Sequence, residues 1–134
     1  AEGSVETSAG ARPAIAEVLA VEVEDAAILL RWRLRSTGET LVLRATTFSS
    51  FGQPSRSATE VALVDPAGQE LARPFRTRGT SFGISCICSF VPNEVDGTGQ
   101  ELTGLYPRFS RDAPEVEVRI PGFPPITGVP VTRR

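Results

Sequence analysis

Ile28-Leu29-Leu30-Arg31-Trp32-Arg33-Leu34-Arg35 is the stretch on which the fold turns. Large apolar side chains fall at 28, 30, 32 and 34, and arginines at 31, 33 and 35. Strand side chains point alternately to opposite faces, so this period of two describes a strand with one face in a core and the other in water. Trp32 belongs to the inward set and reads as a core aromatic rather than a ligand platform.

Outward from this stretch the same period recurs. Upstream, Leu19-Ala20-Val21-Glu22-Val23-Glu24 alternates larger apolar with small or acidic residues, and Asp25-Ala26-Ala27 is a short connection. Downstream, Ser36-Thr37-Gly38-Glu39 has turn composition, and Leu41-Val42-Leu43 opens a third strand running to Phe48. The three strands are expected to form a meander. Ser49 to Thr59 reads as a loop, Glu60 to Val64 as a strand, and Asp65-Pro66-Ala67-Gly68 as a type I turn with Pro second and Gly fourth. Gln69 to Phe75 returns as the hairpin partner, which Pro74 confines to an edge or ends. Arg76 to Gly83 is read as a loop, Ile84 to Phe90 as a short strand, and Pro92 to Gly99 as a turn cluster. Glu101 to Phe109 and Val116 to Ile120 are the last strands, and the tail from Pro121 to Val131 is too rich in proline for a central one. Short strands punctuated by turns, without a helical period, predict an all-β fold: an immunoglobulin-like antiparallel β-sandwich of about seven to nine strands.

The 134 residues fit one domain. Ala1 to Pro13 is small and polar and is read as a flexible leader, with residues 14–134 as the single sandwich domain. The absence of an initiator Met suggests a processed chain whose signal peptide or anchor has been removed, and secretion or a place at the cell envelope is expected. No apolar run approaches the ~20 residues that span a bilayer, so membrane association is expected only through an anchor absent from this chain.

Fourteen basic and sixteen acidic residues give a net charge of −2, without the basic excess of a nucleic-acid binder. Every basic residue is Arg; the chain has no Lys and no His. Without imidazole, Ser-His-Asp and Cys-His machinery is excluded, together with His-based metal sites. Without Lys, Schiff-base chemistry and the P-loop are excluded. No glycine fingerprint links a strand to a helix, so no dinucleotide or other cofactor is expected.

Carboxylate-only chemistry survives this filter. Its candidates are Glu94, Asp96 and Glu101, near a turn, where acids are ordinarily solvated and shape the backbone. Arg31, Arg33 and Arg35 form a stripe that could dock an anionic cell-wall polymer. The simpler reading pairs the stripe diagonally with Glu22 and Glu24 across the hairpin.

Cys86-Ile87-Cys88 is the unusual local feature. Two cysteines in an extracellular setting most simply bond to each other, yet residues i and i+2 of a flat strand lie ~6.6 Å apart at Cα, near the limit a disulfide accepts. A bridge therefore requires the backbone to bend or bulge there. Free buried thiols, or a thiol redox or soft-metal pair, are the alternatives.

The run Cys86-Ile87-Cys88-Ser89, then Leu105-Tyr106-Pro107-Arg108-Phe109, then Val116-Glu117-Val118-Arg119-Ile120-Pro121-Gly122-Phe123-Pro124-Pro125-Ile126 and Gly128-Val129-Pro130-Val131, resembles a known domain type. It is that of the immunoglobulin-like domain of secreted or lipid-anchored envelope proteins in high-GC Gram-positive bacteria. In some of these it precedes an OmpA-like peptidoglycan-binding domain. The resemblance covers about the last third of the chain. It implies a non-catalytic envelope domain with the Cys86/Cys88 pair as its mark, partnered by protein or cell-wall polymer, and it supplies no catalytic residue.

Overall fold

The computed structural model describes residues 1–44, 46–49, 58–80, 83–89 and 91–133, and the side chains of 77–80 and 83–86 lie outside that description. Its strands are β1 (Glu2–Thr7), β2 (Gly10–Glu24), β3 (Ala27–Ser36), β4 (Leu41–Val42), β5 (Ala62–Asp65), β6 (Glu70–Ala72), β7 (Arg76–Thr80), β8 (Gly83–Cys86), β9 (Glu94–Val95), β10 (Gln100–Pro107), β11 (Glu115–Arg119), β12 (Ile126–Pro130) and β13 (Thr132–Arg133), with no helix among the described residues. One sheet has the order β1-β2-β3-β10, with β13 beside β2; a second has the order β12-β11-β5-β6. The pairs β4-β9 and β7-β8 form two small ribbons. All ladders are antiparallel except β13 on β2. The protein is thus all-β with antiparallel sheets, compatible with a β-sandwich.

The core lies between the two sheets. Ile28, Leu30, Trp32 and Leu34 enter it from β3, Leu102 and Tyr106 from β10, Leu63 from β5, and Val116 and Val118 from β11. Trp32 is 1% exposed and meets Phe48 edge to face, with ring centroids 5.4 Å apart. Such a pair adds about 0.5–1.5 kcal/mol beyond the area it buries. Tyr106 carries the one phenol of the chain into this core, where its hydroxyl donates to the Val61 carbonyl at 2.7 Å.

Residues 1–13 are not a flexible leader. Glu2–Thr7 pairs with Ile15 to Gly10 through a hairpin at Ser8-Ala9, closed by the Thr7 hydroxyl on the Gly10 carbonyl. Val5 and Thr7 are the buried anchors of β1. The small residues that suggested a leader serve close approach instead. A Cβ at Gly3 would collide with the Gly122 carbonyl and the Phe123 ring, and one at Gly122 with the Ser4 carbonyl. The Ser4 amide donates to the Gly122 carbonyl across the same contact.

The meander also stops one strand early. β3 is flanked by β2 and, along its whole exposed edge, by β10, from Gln100↔Leu34 to Pro107↔Ala27. That leaves no edge for β4, which pairs with β9 instead, followed by a Thr7↔Leu43 bridge. The expected loop from Arg76 to Gly83 contains β7, which pairs antiparallel with β8 in a register that slips between Thr77 and Thr80. The expected loop from Ser49 to Thr59 lies largely outside the described residues. The Asp65–Gly68 turn joins β5 to β6 as expected, with β6 at the sheet edge before Pro74. β12 takes the opposite edge, where its Pro130 is tolerated.

Candidate functional site

Two neighbouring features of the first sheet gather most of the residues singled out by sequence: its outer face and the edge of β10. On the outer face, β3 contributes Leu29, Arg31, Arg33 and Arg35, directly opposite Leu105, Thr103 and Glu101 of β10 for the first three. On the other side, Glu17 lies opposite Arg33, and a bulge between Val18 and Ala20 pushes Leu19 outward.

The carboxylates that hydrogen-bond the arginine stripe are Glu101 and Glu17, and Glu22, the diagonal neighbour of Arg31, attracts it through space. Arg31 Nε donates to Glu101 at 2.7 Å and Arg35 Nε to Glu17 at 2.6 Å. Each hydrogen bond holds its carboxyl below the usual range, against the opposing effect of desolvation. Glu22 lies opposite Leu29, diagonal to Arg31. Glu101 could not be anticipated as a partner, since it lies seventy residues from Arg31 along the chain. Arg33, between the two acids, is within 4 Å of no carboxylate among the described residues.

At the edge of β10 the chain leaves β8, bends at Ile87 and lays Cys88 opposite Gly104. Leu105 N donates to the Ile87 carbonyl at 2.9 Å, and Ser89 N to the Thr103 carbonyl at 2.9 Å. The Ser89 and Thr103 hydroxyls are 2.9 Å apart, and Thr103 N donates to Ser89 Oγ at 3.0 Å. Phe75 joins the same edge, its amide on the Leu105 carbonyl and its carbonyl accepting from Ile87 N. The Cys-x-Cys segment thus seals the edge of the first sheet. Cys88 is half-buried there. The side chain of Cys86 falls outside the described residues. Leu29, Ile87, Cys88, Ser89, Thr103, Gly104 and Leu105 line a shallow depression.

Sequence reasoning missed the apolar part of this region. Phe75 and Ile87 are 36% and 45% exposed, beside the half-buried Leu29 and Leu105. The signal was present in β3, where Leu29 shares the outward phase of the arginines.

The carboxylate candidates are divided. Glu94 and Asp96 line one depression with Thr40, Thr98 and Gln100, whereas Glu101 is on the sheet face with Arg31. Asp96 is held well below its ordinary pKa, first by the Thr98 hydroxyl and then by the amides of Gly99 and Thr98. It is the acceptor that shapes the turn. Among the described residues no three His, Cys, Asp or Glu side chains gather as a metal site. Compared with family models, curated proteins and solved structures, the chain matches none.

Proposed function

We propose that the protein is a non-catalytic interaction or spacer domain, immunoglobulin-like, that works outside the cell or at the cell envelope. One observation carries the non-catalytic part. Each carboxyl with a displaced pKa, at Glu17, Asp65, Asp96 and Glu101, is displaced downward by an arginine or by turn donors. Active sites push paired acids apart so that one stays protonated near neutral pH. Here each of these acids is committed to holding backbone or sheet together. The extracellular part rests on the Cys86/Cys88 pair and on the resemblance of the C-terminal third to envelope domains.

In this reading Cys86 and Cys88 form an intramolecular disulfide. The bend at Ile87 supports it, because bridging residues i and i+2 needs that departure from a flat strand. Closing so small a ring removes little entropy from the unfolded chain, so the bond would act on local shape, holding the segment that covers β10. The competing reading, a thiol redox or soft-metal pair, draws on the same exposed bend.

Intact mass after denaturing alkylation, with and without prior reduction, separates the two. The disulfide reading expects no alkylation until the protein is reduced, and monomeric migration without reductant. Two thiols alkylated directly, or metal mass retained in the native spectrum, would replace it with the redox or metal reading. The interaction reading is tested by co-sedimentation with purified cell-wall polymer and by a turnover screen on cell-wall glycans. Turnover abolished by Asp96→Asn would overturn it.

A further inference from the structure

The outer face of the first sheet carries opposite charges in columns and apolar side chains at one end. We propose that this face is a self-complementary interface, on which two copies of the chain pair about a two-fold axis parallel to the strands and lying between β3 and β10. This goes beyond the envelope reading and holds wherever the chain resides.

The cross-strand register supplies the argument. Residues opposite one another in β3 and β10 are Arg33 and Glu101, Arg31 and Thr103, Leu29 and Leu105, and Ala27 and Pro107. An axis between the two columns sets each residue against the cross-strand neighbour as it occurs in the second copy. Arg33 then faces Glu101 of the second copy, and reciprocally, as a two-fold contact requires. Leu29 meets Leu105 of the second copy, Arg31 meets Thr103, and Ala27 meets Pro107. Within the β3 and β10 columns no row places like charges together or sets an apolar side chain against a charge, whereas in the outer columns Glu22 of β2 comes to lie against Ile87 of the second copy. Packing of two such faces is the aligned sheet-on-sheet arrangement, in which twisted sheets stack at about 30°.

Three observations select a second copy as the occupant. First, the face is nearly neutral: Arg31, Arg33 and Arg35 stand among Glu17, Glu22 and Glu101, which suits a surface of the same alternation better than a polyanion. Second, Arg33 is within 4 Å of no carboxylate among the described residues although Glu17 and Glu101 attract it through space, so pairing with Glu101 of the second copy adds a close contact without breaking the Arg31–Glu101 bond. Third, Ile87 and Phe75 continue the apolar end of the face with 45% and 36% of their surface exposed.

The area sets the strength. Four strand positions, from β2 to the 87–89 segment, spaced ~4.8 Å, and eight residues of β10 at ~3.3 Å give a footprint of about 500 Å². Two copies would then bury about 1,000 Å² in total, the lower end for a specific contact. The dimer is therefore concentration-dependent, and its ionic rows weaken with salt.

Sedimentation velocity on the full chain from about 1 μM to about 1 mM, at low and high salt, covers the range in which such a contact titrates. The expected result is a monomer–dimer equilibrium shifted toward monomer by salt. Arg33→Glu, which sets two acids against each other, should weaken association at least ten-fold, and the swap Arg33→Glu with Glu101→Arg should recover most of it. Leu29→Asp should weaken it independently of the ionic row. Leu71→Asp, on the outer face of the other sheet, should change nothing. Circular dichroism and melting confirm that each variant is folded before it is scored. A monomer at every concentration overturns the proposal. So does a dimer that Arg33→Glu and Leu29→Asp leave intact.

Discussion

Tyr106 shows what one polar atom can do in an apolar interior. Its ring fills the space under β10, and its hydroxyl crosses from the first sheet to Val61, the residue before β5 in the second. The Val61 carbonyl is thereby satisfied inside a core where water does not reach. Tyr106→Phe keeps the ring and removes the donor, so the cost is that of an orphaned carbonyl, about 1–3 kcal/mol. Denaturant unfolding followed by fluorescence of Trp32, the sole tryptophan, measures it. A loss below about 0.5 kcal/mol would show that the hydrogen bond contributes no more than an exposed one. Asp65 is a contrasting case, a buried carboxylate gripped by Arg111 Nε at 2.7 Å and Nη2 at 2.8 Å, with the amides of Gly68 and Ala67 adding to the hold. It fastens the β5–β6 turn to the loop that follows β10. Nothing in Asp65-Pro66-Ala67-Gly68 beyond its turn signature announces that partner, because Arg111 is forty-six residues away.

Among the elements, β1 was the least legible and β3 the most. From Ile28 to Leu34 the inward positions of β3 are all apolar, and its outward arginines at 31, 33 and 35 alternate with them, so its phase is written in its own residues. β1 has Val5 and Thr7 as its buried positions, and the rest of its role depends on the turn Pro121-Gly122-Phe123 at the other end of the chain. Gly122 sits there at φ +89°, with no room for a Cβ against Ser4. Gly122→Ala should cost at least about 1–2 kcal/mol from the backbone conformation alone. Displacement of β1 should follow, read as faster amide exchange at Ser4 and along residues 10–15 than elsewhere in the sheets. Unchanged protection there would mean that the contact does not secure β1. The edge of β10 was legible in part. The bend at Ile87 is the departure from a flat strand that a Cys-x-Cys bridge was expected to need. The seal by Phe75, Ile87 and Ser89 does not, since it depends on which strand lies alongside. The same limit hid β10 as the neighbour of β3, and with it the pairing of Arg31 with Glu101.

For the whole molecule, composition and ion pairing together dictate the pH response. Glu17, Asp65, Asp96 and Glu101 have folded-state pKa values below their ordinary ones. Depressed carboxyls contribute stability above their unfolded pKa, about 4, and lose it as the pH falls through the folded values. Tyr106 is shifted the other way by burial, so its contribution is complete below its ordinary value of 10.0 and lost as the pH rises above it. With no histidine, and with Cys86 and Cys88 joined as proposed, no side chain titrates between these limits at its ordinary pKa. The melting temperature should hold level from about pH 5 to about pH 9, and fall by several degrees below about pH 4 and again above about pH 10. A step near pH 6.5 would contradict the assignment, since no side chain described here has reason to titrate there.

The arrangement of β1 and β13 on a single strand has a mechanical consequence. The Ala1 ammonium donates to the Ala16 carbonyl, and Arg133 lies opposite Val23, so both ends are fastened along one edge of β2, about 23 Å apart at strand spacing. Tension drawing residues 1 and 133 apart pulls Ala1 back over its own strand, because β1 runs away from β13. The load then breaks the β1–β2 bonds one after another, as a zipper opens, while β13 is loaded lengthwise across two residues only. The two sheets and their core lie outside this path. A stretched chain would therefore release its first strand as slack before the folded body yields.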